Sequence, residues 1–163
     1  MVRDLRDIVA SMEKNYRKHS DKYDLADDLE NPKNVSVAQR VTHWMDINTR
    51  PVGDTLNKLK ESIFRGYGED ILFIKFVDLC SKPKEIMQEV HEYLEIPNYE
   101  YDFNNIKQVT HEDDKFHGKY GDHKINPKIS LGESKSIELL GNIICKDLYE
   151  RNKWYFDYFE YEF

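Results

Sequence analysis

The sequence has few cysteines and no long hydrophobic run. Its two cysteines, Cys80 and Cys145, lie in separate apolar stretches, and no CxxC spacing joins them. This pattern predicts buried free thiols and a reducing compartment rather than a disulfide framework. No apolar run approaches the roughly 18 residues of a membrane span, and residues 1–20 lack the apolar centre of a signal peptide. We therefore expect a soluble, cytoplasmic protein with no membrane partner.

An excess of basic residues is also missing. Lys and Arg total 24 against 31 Asp and Glu, which gives a net charge of −7. Broad binding to nucleic acid needs a basic face, so no nucleic-acid partner is expected. A small anionic ligand remains compatible with this charge where basic groups converge locally. The length of 163 residues suits a single domain, 1–163, and no repeat array is visible.

Capping and periodicity predict a largely helical chain. Asp7 is expected to cap a helix that starts at Ile8. Ser36 and Gln39 form a capping box before the next helix, and Pro51 ends or kinks that helix before a further one. Ser81 and Pro83 open another helix, which Pro97 closes. A last long helix is predicted from the apolar stripe of Ile137, Leu140, Ile144 and Leu148.

A single segment has the composition of a buried parallel strand. ILFIKF at 71–76 is short, β-branched and aromatic on both faces. Alternation of helix and strand indicates an α/β fold, although one strand cannot make a sheet by itself. Residues 20–34 and 98–132 are expected to be loops. The last ten residues contain seven aromatics and are expected to pack on the body of the protein.

The opening segment carries a pattern suited to phosphate binding. Arg3 follows an apolar residue, and Ser11 comes eight residues later in what we expect to be the first part of a helix. Helix N-termini present unpaired N–H groups and a partial positive charge, so an Arg fork and a hydroxyl there can hold a dianion. By themselves, these residues are more simply explained as a surface ion pair and an ordinary helix serine, because such spacings are common by chance.

Three segments together resemble sulfotransferases that use 3′-phosphoadenosine 5′-phosphosulfate (PAPS). Arg3, Asp7 and Ser11 match the family's Arg-x-x-x-Asp-x-x-x-Ser segment for the 3′-phosphate, with Leu5 where a proline is common. FIKFVDLCSKPKEIMQEVHEYLEIP resembles its later strand, turn and Pro-led helix, with Phe76 in place of a frequent tyrosine. FHGKYGDHK at 116–124 resembles its late glycine loop over the cofactor.

The resemblance implies a fold, a cofactor and a set of ligand contacts. The fold would be the C-terminal part of a three-layer, P-loop-type sulfotransferase domain, predominantly helical with one clear buried strand. PAPS, or adenosine 3′,5′-bisphosphate as its product, would be the nucleotide, with no metal. Its contacts would come from Arg3 and Ser11 and from the loop residues His117, Gly118, Lys119, Gly121 and Lys124. The sulfonate acceptor, a small molecule, is not specified.

The family places a phosphosulfate loop and a catalytic base earlier than any residue matched in this chain. The chain is therefore expected to be a partial domain that does not transfer sulfonate by itself. A non-catalytic helical nucleotide-binding or protein-interaction module descended from such an enzyme is the alternative. Self-association through an exposed sheet edge or apolar face is also expected. A zinc site formed by His111, His117 and His123 is a weaker alternative, because no cysteine joins them and they share no regular face.

Overall fold

The computed structural model describes residues 1–19, 35–48, 50–109 and 125–163, apart from the side chains of His19 and Pro51. A 3₁₀ helix spans Tyr67–Asp70, and the α-helices are α1 (Leu5–His19), α2 (Val37–Trp44), α3 (Pro51–Phe64), α4 (Phe76–Ser81), α5 (Pro83–Tyr93), α6 (Ser136–Leu140), α7 (Asn142–Arg151) and α8 (Lys153–Tyr158). None of the helices in the described ranges has the length and apolar character required to cross a bilayer.

The chain divides into two compact units. The first comprises Met1–Arg3 and Ile71–Glu133, and the second comprises Asp4–Asp70 and Ser134–Phe163. Each unit is therefore discontinuous in sequence. The single-domain assignment stays a prediction.

The predicted starts of three helices are confirmed. Ser36 Oγ accepts a hydrogen bond from the Gln39 N–H at 3.2 Å, and Gln39 Oε1 accepts one from the Ser36 N–H at 2.9 Å. Pro51 and Pro83 are the first residues of α3 and α5. At that position the missing proline N–H costs nothing, because the first N–H groups of a helix have no intrahelical acceptor.

The predicted start of α1 was wrong by one turn. The helix begins at Leu5, and its cap is Asp4 rather than Asp7. The Asp4 backbone carbonyl accepts from the N–H groups of Asp7 and Ile8, each at 3.1 Å, and Asp4 Oδ1 accepts from the Arg6 N–H at 2.8 Å. Both residues are aspartates with suitable side chains, and Asp4 prevails because its carboxylate also pairs with the Arg6 guanidinium.

The predicted buried strand at 71–76 is not present in the described residues. The segment makes one isolated parallel bridge, between Val2 and Lys75, with N–H to carbonyl bonds from Val2 to Ile74 (2.7 Å) and from Phe76 to Val2 (2.8 Å). Ile71 is exposed, and Phe76 already begins α4. A strand needs a ladder of neighbours, and a single residue supplies only two bonds. Self-association through a sheet edge or an apolar face stays a prediction.

The predicted last long helix is broken into α6, α7 and α8. Gly141 separates α6 from α7 with a φ of 86° and a ψ of 153°, which lie outside helical geometry. Glycine adopts a positive φ without the steric cost that a Cβ imposes. Leu140 before the break and Cys145 and Leu148 after it are all buried, whereas Ile137 of the predicted stripe is exposed.

The core of the second unit is formed mainly by α1, α6 and α7. Val9 and Ala10 from α1 contact Leu140, Cys145 and Leu148, and Val41 of α2 joins the same cluster. The packing of the C-terminal aromatics on the body is also confirmed for three side chains, since Tyr155, Phe156 and Phe159 are buried.

An ion pair lies within the same unit. Glu13 is fully buried, and its carboxylate accepts hydrogen bonds from Arg40 Nε at 2.8 Å and Arg40 Nη2 at 2.7 Å. Arg17 Nε donates to the same carboxylate at 2.7 Å. The Arg40 guanidinium also lies 4.3 Å from the centre of the Tyr16 ring. The hydrogen bonds to Glu13 raise the pKa of Arg40 above its ordinary value. This pair fastens α2 to α1.

Candidate functional site

Arg3 belongs to the first unit and lies next to α4. Its guanidinium carbon is 4.7 Å from the centre of the Phe76 ring. Arg3 is half-buried, and a cation over an aromatic face is stabilised by the ring quadrupole. Phe76 therefore supports the arginine that the sequence singled out. The sequence analysis identified Phe76 only as a residue in place of a frequent tyrosine, so this contact was missed.

The N-terminus of α1 is already occupied by a carboxylate of the protein itself. The Asp4 carboxylate accepts from the Arg6 backbone N–H at 2.8 Å, and Arg6 Nη2 lies 2.5 Å from Asp4 Oδ2. The N–H groups of Asp7 and Ile8 bond instead to the Asp4 backbone carbonyl. Arg6 also donates to the Glu162 carbonyl at 2.5 Å and lies over the rings of Phe156 and Phe163. Its hydrogen bond to Asp4 raises the pKa of the Arg6 guanidinium. Asp4 thus bonds to one of the N–H groups at the helix end, and the predicted phosphate contacts there stay a prediction.

Asp7, the central residue of the matched segment, has a structural contact. Its carboxylate Oδ1 accepts a hydrogen bond from the Ser134 hydroxyl at 2.5 Å. Ser134 Oγ in turn lies 3.1 Å from Ser136 Oγ, in the first turn of α6. Asp7 therefore ties α1 to the segment that leads into α6, and this explains an aspartate here without reference to a ligand.

Ser11 lies further along the helix than the sequence indicated. It is the seventh residue of α1, beyond the first turn, and its side chain is exposed. Ser11 belongs to the second unit, whereas Arg3 belongs to the first. A ligand of Ser11 would contact the hydroxyl rather than the unpaired N–H groups of the helix end.

The turn that resembles the family's later motif is a helix in this chain. Asp78 and Leu79 lie in α4, and the Lys82 N–H donates to the Asp78 carbonyl at 2.7 Å where the helix ends. Pro83 then starts α5. The Pro-led helix of the resemblance is therefore present.

The predicted glycine loop lies outside the described residues. This applies to His117, Gly118, Lys119, Gly121 and Lys124, and the histidines considered for zinc, His111, His117 and His123, lie in the same stretch. Within the described ranges, no group of three or more His, Cys, Asp and Glu side chains is arranged to hold a metal ion.

The two thiols differ in their surroundings. Cys145 is fully buried, and burial raises the pKa of its thiol more than the hydrogen bond with Ser136 lowers it. Cys80 is half-buried, and burial raises the pKa of its thiol more than the positive charge of Arg3 lowers it. The thiolate is the reactive form, so both thiols are less reactive at neutral pH than an unhindered cysteine.

Thiol titration should resolve the two cysteines. At pH 8 we expect Cys80 to react with an aromatic disulfide reagent more slowly than free cysteine does, with a rate that is still rising with pH above 9. Cys145 should react only after denaturant is added. The single variants Cys80→Ser and Cys145→Ser assign each phase. Rapid reaction of Cys145 in the native protein would contradict its burial.

Comparison with protein families identifies the chain. No curated protein and no solved structure matches it significantly. A model of the sulfotransferase domain matches residues 1–137, which cover Arg3, Ser11, α4, α5 and the 116–124 segment. Together with the mostly helical architecture, this match shows that the chain belongs to the sulfotransferase domain family.

Proposed function

We propose that this chain is the nucleotide-binding part of a sulfotransferase that moves a sulfonate group from PAPS to a hydroxyl or amine acceptor. The observation that carries the proposal is the family match over residues 1–137, within which Arg3, Asp7 and Ser11 keep the spacing of the 3′-phosphate segment. In the complete reaction the acceptor attacks the sulfur in line, a base takes the acceptor proton, and cationic groups stabilise the departing phosphate.

Arg3 is proposed as the main charged contact to the 3′-phosphate. Its guanidinium is held over Phe76, and a planar fork held in one place loses less entropy when it binds phosphate. Ser11 has an exposed hydroxyl that can donate a hydrogen bond. Gly118 and Gly121 would let backbone N–H groups approach the ligand, with His117, Lys119 and Lys124 as flanking donors.

Nucleotide binding tests this assignment. We expect the chain to bind adenosine 3′,5′-bisphosphate more tightly than adenosine 5′-phosphate, because the two ligands differ only in the 3′-phosphate. Arg3→Ala should weaken binding of the bisphosphate by about 10- to 100-fold, the usual effect of losing a charge-assisted hydrogen bond. Binding of the monophosphate should change little. Isothermal titration calorimetry measures both.

A matched control is Arg65→Ala. Arg65 is an exposed arginine that pairs with Glu61 at 3.2 Å on the surface of α3, so its loss removes the same charge from a site with no proposed ligand. Equal affinity for the two nucleotides, or equal effects of Arg3→Ala and Arg65→Ala, would reject the 3′-phosphate assignment. Ser11→Ala and Lys119→Ala then test the hydroxyl and loop contacts separately.

A further inference from the structure

The segment that follows α5 is folded back onto that helix. Glu95 has a φ of 53°, the left-handed conformation that commonly ends helices, and the Ile96 N–H donates to the His91 carbonyl at 3.0 Å. Pro97 follows directly and cannot continue a helix. This turn reverses the chain, so the next residues lie beside α5.

His91 fixes the returning segment in place. It is almost fully buried, and its Nδ1 accepts from the Tyr99 N–H at 3.2 Å. Asn98 Oδ1 lies 3.2 Å from the same nitrogen. On the other side of the ring, Nε2 and the Tyr101 hydroxyl are hydrogen-bonded at 2.8 Å. The histidine thus positions both tyrosines relative to the helix.

A cleft of about 450 Å³ remains between α5 and this segment. This volume lies within the range of about 300–1,000 Å³ that is typical of small-molecule sites. Its helix wall consists of Lys84, Met87, Gln88 and His91, which lie on successive turns of α5. The opposite wall consists of the aromatic residues Tyr99, Tyr101 and Phe103. All of these residues belong to the first unit.

The three rings of the aromatic wall lie next to one another. Ring centres are 4.9 Å apart for Tyr99 and Tyr101 and 5.6 Å apart for Tyr101 and Phe103. Tyr99 is nevertheless 70% exposed, and Tyr101 is 40% exposed. A ligand that covered these rings would bury apolar area that folding leaves in water.

The polar groups around the cleft indicate an uncharged ligand with several hydroxyls. Lys84 and Glu100 both line it, so their charges offset each other. Gln88 and Asn98 contribute amide groups, which both donate and accept hydrogen bonds. A ring that carries several hydroxyls can bond to such groups both as donor and as acceptor.

We propose that the cleft between α5 and residues 98–103 binds an uncharged saccharide, whose ring packs on the aromatic wall while its hydroxyls bond to the amide and amine groups of the cleft. This site shares no residue with the nucleotide contacts proposed above. It would tether a glycan to the protein and does not depend on the identity of the nucleotide.

The test is an NMR titration of the ¹⁵N-labelled full chain with methyl β-D-glucopyranoside and methyl β-D-galactopyranoside. At millimolar concentrations, at least one glycoside should cause saturable shifts of the backbone amides of Gln88, Tyr99 and Tyr101. Tyr99→Ala should weaken binding by about tenfold, since an aromatic contact and its buried area are lost. Because Tyr99 is mostly exposed, this variant should fold normally.

Two further variants sharpen the result. Tyr67→Ala removes a tyrosine of similar exposure (58%) from the second unit and should leave saccharide binding unchanged. Lys84→Met removes an amine that is proposed to bond to the saccharide hydroxyls, so it should weaken binding as well. Absence of saturable shifts with either glycoside would overturn the proposal. Tighter binding of adenosine 5′-phosphate than of either glycoside at these amides would overturn it as well.

Discussion

Glu13→Gln should destabilise the protein by about 3–5 kcal/mol, the usual cost of leaving one member of a buried ion pair without its partner. Glutamine has nearly the same shape as glutamate, so packing is kept while the negative charge is lost. Arg40 then stays 8% exposed with a full charge that no carboxylate balances, and Arg17 loses its partner too. Urea unfolding followed by circular dichroism measures the change.

The matched control is Glu61→Gln on the surface of α3. Glu61 pairs with Arg65, and both side chains are more than half exposed, so this substitution should cost at most about 1 kcal/mol. Replacing both buried partners, as in Glu13→Met with Arg40→Met, should recover part of the lost stability, because no unpaired charge remains. Equal losses for Glu13→Gln and Glu61→Gln would show that the buried pair is not fixed as described.

Gly53→Ala should also destabilise the protein, by about 1–3 kcal/mol or more. A Cβ at this position would lie 2.3 Å from the Met45 carbonyl oxygen and 2.4 Å from that of Asp46. Both are backbone atoms, so no side-chain rotation can relieve the overlap, and the start of α3 must move away from the end of α2. Alanine is ordinarily better than glycine within a helix by about 0.5–1 kcal/mol, so the sign of the effect separates tertiary packing from helix propensity.

Two other glycines are controls for this prediction. Gly132 has no atom within 4 Å of an added Cβ and no positive φ, so Gly132→Ala should be neutral or slightly stabilising. Gly141 has open space but a φ of 86°, so Gly141→Ala should cost about 1–2 kcal/mol from backbone strain alone. Thermal unfolding of the three variants should therefore place Gly53→Ala lowest. A stability of Gly53→Ala equal to that of Gly132→Ala would contradict the close contact between α2 and α3.

The candidate nucleotide site was visible in the sequence only as separate residues. Arg3 and Ser11 could be selected because their types and spacing fit a phosphate, and the chemistry of an Arg fork does not depend on the fold. Their surroundings could not be selected in the same way. Asp4 and Asp7 are both acceptable helix caps in a sequence pattern, and the choice between them depended on Arg6 and on the chain near Glu162.

The cleft beside α5 shows the same division. Tyr99, Tyr101 and Phe103 alternate in the sequence, but residues 98–132 were predicted only as a loop, so their contact with one another was not expected. Their position beside α5 depends on a left-handed glutamate at 95, a conformation for which glycine is the usual signal, and on the hydrogen bonds of His91. No local sequence pattern predicted that the chain reverses direction after α5.

The sequence by itself determined the local features of this protein: the capping box at Ser36, the helix starts at Pro51 and Pro83, and the residue pattern of a sulfotransferase domain. The capping box and the two helix starts depend on interactions among residues a few positions apart, and the family pattern depends only on residue types and their order, so neither requires knowledge of the tertiary contacts. Only the tertiary structure decided whether 71–76 forms a strand, where the last helix breaks, and which charge neutralises Glu13. Those outcomes depend on neighbours that are distant in sequence, as Arg40 is from Glu13, and a buried group takes the partner that the packing of whole helices brings to it.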